Sequence, residues 1–260
     1  MKVGFIGTGR IGTAIATCAS KNGNCELYLA NRTVEKAEKL QEKIGGVVCD
    51  NATVAKTCEL VFLCVKPQQA IDTLNGIKKE LEENKNVVLV STMTAWTIQR
   101  IKNIVNVPVI RTMPNTPIQV NEGVLLYDYS EDVSEEKVNL FLSLTKGSGL
   151  VTRLEEKYID AASAVSGCGP AFADMFVDGL AEGANRCEVD KELAIKLAAQ
   201  MLIGAGKLIL ETGKDPEQLK IEVCSPGGST IEGVKILEDN NFKNIVMEAV
   251  KASFEKNKKL

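Results

Sequence analysis

Gly7-Thr8-Gly9-Arg10-Ile11-Gly12 sets three glycines at G-x-G-x-x-G spacing, between a short apolar run, Lys2–Ile6, and Ile11–Ser20, where Ile11, Ile15 and Cys18 recur at helical spacing. In a strand–turn–helix context Gly7 permits a tight turn, Gly9 lets a pyrophosphate approach the backbone, and Gly12 allows helix and strand to pack closely. Phosphates would lie on the helix N-terminus, where unpaired N–H groups and the helix dipole favour anions. The next apolar run, Glu26–Ala30, ends in Asn31-Arg32-Thr33, where a site reading a ribose 2′-hydroxyl would place an acidic residue. Asn31 and Thr33 can donate hydrogen bonds and Arg32 supplies a guanidinium suited to phosphate. The expected cofactor is therefore NADP, with NADPH preferred over NADH.

Two further loops are expected at the same crevice. Val65-Lys66-Pro67-Gln68 follows the apolar run Leu60–Val65, and Arg111-Thr112-Met113-Pro114-Asn115-Thr116-Pro117 follows the run Val107–Ile110, its prolines stiffening a loop. Val65, Lys66, Pro67 and Asn115 accordingly join Gly7, Thr8, Gly9, Arg10, Ile11, Gly12, Asn31 and Arg32 as expected cofactor-binding residues. Later, Ser225-Pro226-Gly227-Gly228-Ser229-Thr230 opens a helix with exposed N–H groups, a compact place for a carboxylate on Gly227, Gly228, Ser229 and Thr230. Ser166-Gly167-Cys168-Gly169-Pro170 has a similar design, with Pro170 suited to a first helical position. There the glycines are expected to serve close helix packing, since no base stands near Cys168 to make it a nucleophile.

The composition narrows the chemistry. The 260 residues contain no His, which removes His-based triads, His general bases and His-containing metal sites, and no metal is expected. Thirty-one Lys and Arg against 34 Asp and Glu leave a net charge of −3, no footprint for nucleic acid or an anionic membrane. The eight Cys show no C-x-x-C pair, so thiols in a reducing cytoplasm are expected. No apolar run is expected to approach the roughly 20 residues of a membrane span.

The elements that must position these motifs fall into two halves. Short continuous apolar runs at Lys2–Ile6, Glu26–Ala30, Val47–Cys49, Leu60–Val65, Val87–Ser91 and Val107–Ile110 alternate with helical stretches, as in a parallel sheet covered on both faces. Strands near Val124–Tyr127 and Leu150–Arg153 and a helix over Ser134–Thr145 complete this half. From about residue 155 the pattern is helical: roughly 156–166, 170–186, 190–211, 215–223, 230–238 and 241–257. The expected fold is an α/β Rossmann-type doubly wound sheet over residues 1–154, then an all-helical domain over 155–260 for substrate binding and dimerisation. The stretch 193–210 is apolar around nearly its whole circumference and needs partners on every side, which predicts a homodimer or a ring of dimers.

Taken together, the G-x-G-x-x-G start, Asn31-Arg32, Val65-Lys66-Pro67, Met113-Pro114-Asn115-Thr116-Pro117, Ser166-Gly167-Cys168-Gly169-Pro170 and Ser225-Pro226-Gly227-Gly228-Ser229-Thr230 resemble the pyrroline-5-carboxylate reductases in order and spacing. The last motif, followed by Ile231, Gly233, Leu237 and Glu238, looks like the family's own signature. The resemblance implies NAD(P)H-dependent reduction of a cyclic imine, the last step of proline synthesis. It also implies a substrate carboxylate on the N–H groups of Gly228, Ser229 and Thr230, with the Thr230 hydroxyl near the imine nitrogen as the catalytic group. Two departures stand out: Cys168 where the family has Ser, and Thr94-Ala95 where it has a small Ala-Gly pair, a place where alanine takes positive φ less readily. The competing readings are a related NADP-dependent reductase of another imine or of a small keto or hydroxy acid, and a catalytically inert NADP-binding regulatory paralogue. A hydroxyacid dehydrogenase would need a catalytic Lys after the central glycines, whereas Lys157 precedes them.

Overall fold

The computed structural model describes residues 1–22 and 24–259. They form two compact units, Met1–Gly167 together with Ser253–Leu260, and Cys168–Ala252.

The first unit alternates β1 (Lys2–Ile6), α1 (Arg10–Asn22), β2 (Glu26–Ala30), α2 (Val34–Ile44), β3 (Val47–Val48), α3 (Asn51–Thr57) and β4 (Leu60–Leu63). It continues through α4 (Ala70–Glu83), β5 (Val88–Ser91), α5 (Ile98–Lys102), β6 (Val109–Pro114), β7 (Gly123–Tyr129), α6 (Glu135–Thr145), β8 (Gly149–Arg153) and α7 (Glu156–Ser166). The strands lie in the order β3-β2-β1-β4-β5-β6-β7-β8, all neighbours parallel except β6 and β7. The chain therefore runs outward one way from β1 and the other way from β4, and a doubly wound sheet binds ligands at such a reversal.

Alternate residues explain the unbroken apolar runs. Val3, Phe5, Leu60, Phe62, Val88 and Val90 belong to one core with α1 and α6 residues, while Ile6, Val61, Leu63 and Leu89 belong to the other with α3 and α4. The Phe5 and Phe62 rings stack at 4.8 Å between centroids. In α4, Ala70, Leu74, Ile77 and Leu81 recur at helical spacing and are buried.

Arg111 through Pro114, expected in a loop, are instead part of β6. Antiparallel pairing with β7, from Ile110 opposite Tyr129 to Pro114 opposite Leu125, extends the strand to the proline. This buries the Arg111 side chain completely, with Nη1 3.4 Å from Glu156 and Nη2 2.5 Å from Asp160, both on α7. Ile159 of α7 packs with Met113 and Leu126. Those contacts hold α7 to the sheet, so the compact unit runs to Gly167, whereas the expected domain boundary lies between 154 and 155.

The second unit holds α8 (Gly169–Arg186), α9 (Lys191–Thr212), α10 (Pro216–Val223), α11 (Ser229–Asp239) and most of α12 (Phe242–Asn257). Asp190 caps α9 by accepting from the Leu193 N–H at 3.0 Å, and Gly213, at φ 63°, ends it. Buried Ala181, Ala194 and Ala198 let α8 and α9 approach closely. Gly169, expected to serve close packing, faces open space in the single chain. One expectation needs correction: α9 is long and apolar enough to cross a membrane by length and composition. Lys196 and Lys207 interrupt its apolar run without offsetting so many aliphatic residues.

Candidate functional site

The loop between β1 and α1 gives each glycine a distinct reason. Gly7 has φ +100°, and a Cβ there would stand 2.5 Å from the Cys64 carbonyl oxygen. A Cβ on Gly12 would stand 2.0 Å from the Gly7 carbonyl oxygen. Around Gly9, by contrast, a Cβ would meet no described atom within 4 Å. The loop is thus closed where helix and strand meet and open where a phosphate would approach. Helix α1 has no acidic residue in its first turn, which leaves its positive end available to an anion. The Thr8 hydroxyl is buried without a hydrogen-bond partner among the described residues, an orphaned group that a ligand oxygen would satisfy.

The pairing register brings the other loops alongside. Ile6 lies opposite Ala30 of β2 and Leu63 of β4, so Gly7, Asn31 and Cys64 emerge at one level. The Asn31 carboxamide is committed within the protein: Oδ1 accepts from the Thr8 N–H at 3.0 Å and Nδ2 donates to the Thr33 carbonyl at 2.8 Å. Thr33 occupies the N-cap position of α2, but its hydroxyl makes no capping bond. Arg10 and Arg32 are exposed, Ile11, Val65 and Pro67 are half-buried, and exposed Lys66 precedes a 3-10 turn over Pro67–Gln69. Loss of solvent contact pushes the Cys64 thiol up to about 12, against the Thr92 hydroxyl bond that lowers it, so a neutral thiol lines the loop. Asn115 is buried and bridges elements, its Nδ2 donating to the Ser166 carbonyl at 2.9 Å and its Oδ1 accepting from the Val124 N–H at 2.8 Å. These residues fit a dinucleotide whose pyrophosphate lies on Gly9 and the start of α1.

After β5, Ala95 takes φ +62°, a conformation that glycine adopts at less cost. Arg100 holds it there, donating to the Ala95 carbonyl at 3.2 Å while its guanidinium lies 4.0 Å from the centre of the buried Trp96 ring. The pair carries no helical-spacing signal in the sequence, because Trp96 precedes Thr97, the N-cap of α5. Ala95→Gly relieves a left-handed alanine at about 1–2 kcal/mol but loosens the unfolded chain by about 0.4–1 kcal/mol. The expected result is a gain of about 0.5–1 kcal/mol in chemical denaturation. A loss of stability would show that Ala95 is not strained.

In the second unit, Gly227 has φ +72°, and the Gly228 N–H donates to the Ser225 carbonyl at 3.0 Å. Gly228 is the N-cap of α11. Its N–H, expected to hold a carboxylate, is therefore committed to the turn, and the open donors move one residue onward to Ser229, Thr230 and Ile231. Gly227, Ser229 and Thr230 are exposed. Cys168 is the N-cap of α8, and no group of three or more Cys, Asp or Glu side chains among the described residues is placed to hold a metal ion.

The doubly wound sheet with an open glycine cradle, followed by a helical unit, defines the class of dinucleotide-dependent α/β oxidoreductases. Residues 2–95 match the family described as NADP oxidoreductase, coenzyme F420-dependent, and residues 156–260 match pyrroline-5-carboxylate reductase dimerisation. The chain is 33% identical to pyrroline-5-carboxylate reductase of Aquifex aeolicus over 263 residues, covering 100% of this chain and 97% of that protein. It is equally 33% identical to the Escherichia coli enzyme of that name, over 100% of this chain and 98% of the relative. The solved Plasmodium falciparum pyrroline carboxylate reductase, with NADP bound, superposes with a TM-score of 0.89 at 29% identity over 99% of this chain and 97% of that one. The chain belongs to the pyrroline-5-carboxylate reductase family, whose members are NAD(P)H-dependent oxidoreductases, and its helical part is a dimerisation domain.

Proposed function

We propose that this protein reduces 1-pyrroline-5-carboxylate to L-proline with NADPH, the last step of proline biosynthesis, as a homodimer or a ring of dimers in the cytoplasm. The observation that carries the reading is the glycine cradle, open at Gly9 and closed at Gly7 and Gly12, in a chain matched from end to end by reductases of that name. Its eight cysteines are free thiols, in keeping with a reducing compartment.

When bound, NADPH supplies the hydride that the imine carbon accepts. The protein's part is to hold and orient. The N–H groups of Ser229 and Thr230, with Ile231 taking the place of Gly228, hold the substrate carboxylate at the positive end of α11. The Thr230 hydroxyl orients the imine nitrogen, which arrives protonated near neutral pH, so a chain without His needs no strong general acid. Thr230→Ala keeps the backbone donor and removes one hydrogen bond to a charged partner, about 1.5–3 kcal/mol. A fall of roughly tenfold to a hundredfold in kcat/KM is expected, with melting and cofactor affinity unchanged. A lowered melting temperature with intact kinetics would leave Thr230 a helix-stabilising residue only.

Arg32, exposed beside Asn31, reads the 2′-phosphate. Arg32→Ala is expected to weaken NADPH by about 1.5–3 kcal/mol and to leave NADH nearly unchanged. Equal losses for the two cofactors in titration would count against this role. The left-handed Ala95 in the loop after β5 keeps a second reading in view, reduction of a different imine or small keto acid. Following NADPH absorbance with pyrroline-5-carboxylate, its six-membered homologue and a keto acid in parallel separates the two. Nucleotide binding without oxidation on any of them would mark a regulatory paralogue.

A further inference from the structure

Asn31 stands where a nucleotide ligand is expected, yet both ends of its carboxamide face protein groups. Oδ1 accepts from Thr8 in the glycine loop, 23 residues away in sequence, and Nδ2 donates to Thr33 in the loop that carries Arg32. A second bond, from the Gly7 N–H to the Ala30 carbonyl at 2.8 Å, runs beside the first. The two loops are thereby stitched together at the level where β1 and β2 end.

The geometry requires an acceptor and a donor on one short planar group. Asparagine offers both. Aspartate would keep the acceptor for Thr8 but set an oxygen against the Thr33 carbonyl, and alanine would leave the Thr8 N–H and the Thr33 carbonyl without these partners. From this arrangement we infer that Asn31 is a positioning residue, a clamp that ties the pyrophosphate-binding loop to the 2′-phosphate-binding loop, rather than a ligand of the 2′-phosphate. The inference rests on the NADPH reading of these loops. Its consequence is that Asn31 supports NADH as much as NADPH, because the pyrophosphate is common to both, while Arg32 distinguishes them.

The test titrates the purified full chain with NADH and NADPH by nucleotide fluorescence, alongside hydrogen exchange of the peptide containing residues 7–9. Asn31→Ala is expected to weaken both nucleotides by about tenfold, the worth of one such hydrogen bond, and to speed exchange in the glycine loop. Asn31→Asp keeps the bond to Thr8 but loses the one to Thr33, so it is expected to fall in between, with NADH weakened less and the glycine loop exchanging more slowly than in Asn31→Ala, while NADPH stays weak through charge repulsion. Unchanged NADH affinity and unchanged exchange in Asn31→Ala would overturn the clamp, as would a loss of NADPH alone. If Asn31→Ala melts before it can be titrated, Asn31→Ser, which has no carboxamide to span both partners, takes its place, and unchanged NADH affinity with unchanged exchange in that variant overturns the proposal. Failure of the unsubstituted protein to bind either nucleotide would instead refute the cofactor reading, with the exchange measurement still judging the clamp.

Discussion

Leu197→Glu combined with Leu208→Glu is expected to convert the protein to a monomer at micromolar concentration, raising the dimer dissociation constant at least about 1000-fold, or about 4 kcal/mol. In the single chain Leu197 is 57% exposed, Leu208 48% and Leu210 82%. At 100° per residue, Ala194 and Ala198 mark the buried side of α9, and Lys196, Gln200 and Lys207 form a narrow polar stripe. Leu193, Leu197, Met201 and Leu208 share one flank between them, while Ile195, Ile203 and Leu210 share the other. Burying a leucine is worth about 1.5–3 kcal/mol, and two-fold symmetry counts each substitution twice. Carboxylates placed there add a desolvation cost. Sedimentation of the double variant provides the check, and a dimer that persists would remove this flank of α9 from the interface. Flotation with lipid vesicles tests the other use of such a helix: co-flotation of the unsubstituted protein that the glutamates abolish would place α9 at a membrane.

The second large effect is expected at Arg111→Met. The guanidinium is wholly buried between β6 and α7 and faces two carboxylates, each about a quarter exposed. Methionine fills much of the volume but leaves Glu156 and Asp160 as neighbouring like charges with no counter-ion. Breaking a buried pair by removing one partner costs about 3–5 kcal/mol, and partial solvent access to the carboxylates favours the lower end, about 3 kcal/mol. The melting temperature should fall by about 6–12 °C for a protein of this size. Adding Glu156→Gln and Asp160→Asn to Arg111→Met removes the unpaired charges and should recover at least half of the loss. No recovery would show that packing around Arg111, and not its charge, holds α7 in place. The same Glu156 carboxylate also accepts from the Ile98 N–H at 2.6 Å, so nucleotide affinity measured on the triple variant reports whether the loop after β5 depends on the network.

Much of the architecture is legible in the sequence, because the signals are local. A strand is apolar along the length that is buried on both faces, so Val3–Ile6, Leu27–Ala30 and Leu60–Leu63 announce themselves, and the helices after residue 155 follow from 3.6-residue periodicity. The glycine loop is legible for the same reason: whether a Cβ fits at positions 7, 9 and 12 depends on a turn only a few residues long. What the tertiary structure alone decided are contacts between residues far apart in the chain. Arg111 meets Asp160 across 49 positions, and Thr112 through Pro114 are strand rather than loop because the antiparallel partner β7 pairs with them. The Asn31 carboxamide reads as free for a ligand until the Thr8 N–H, 23 positions away, is folded against its Oδ1. Helix α7 reads as the start of the helical half until its ion pairs with Arg111 fasten it to the sheet. Periodicity and steric rules act within a turn or a pleat, whereas the commitment of a polar group depends on which distant partner the fold delivers to it.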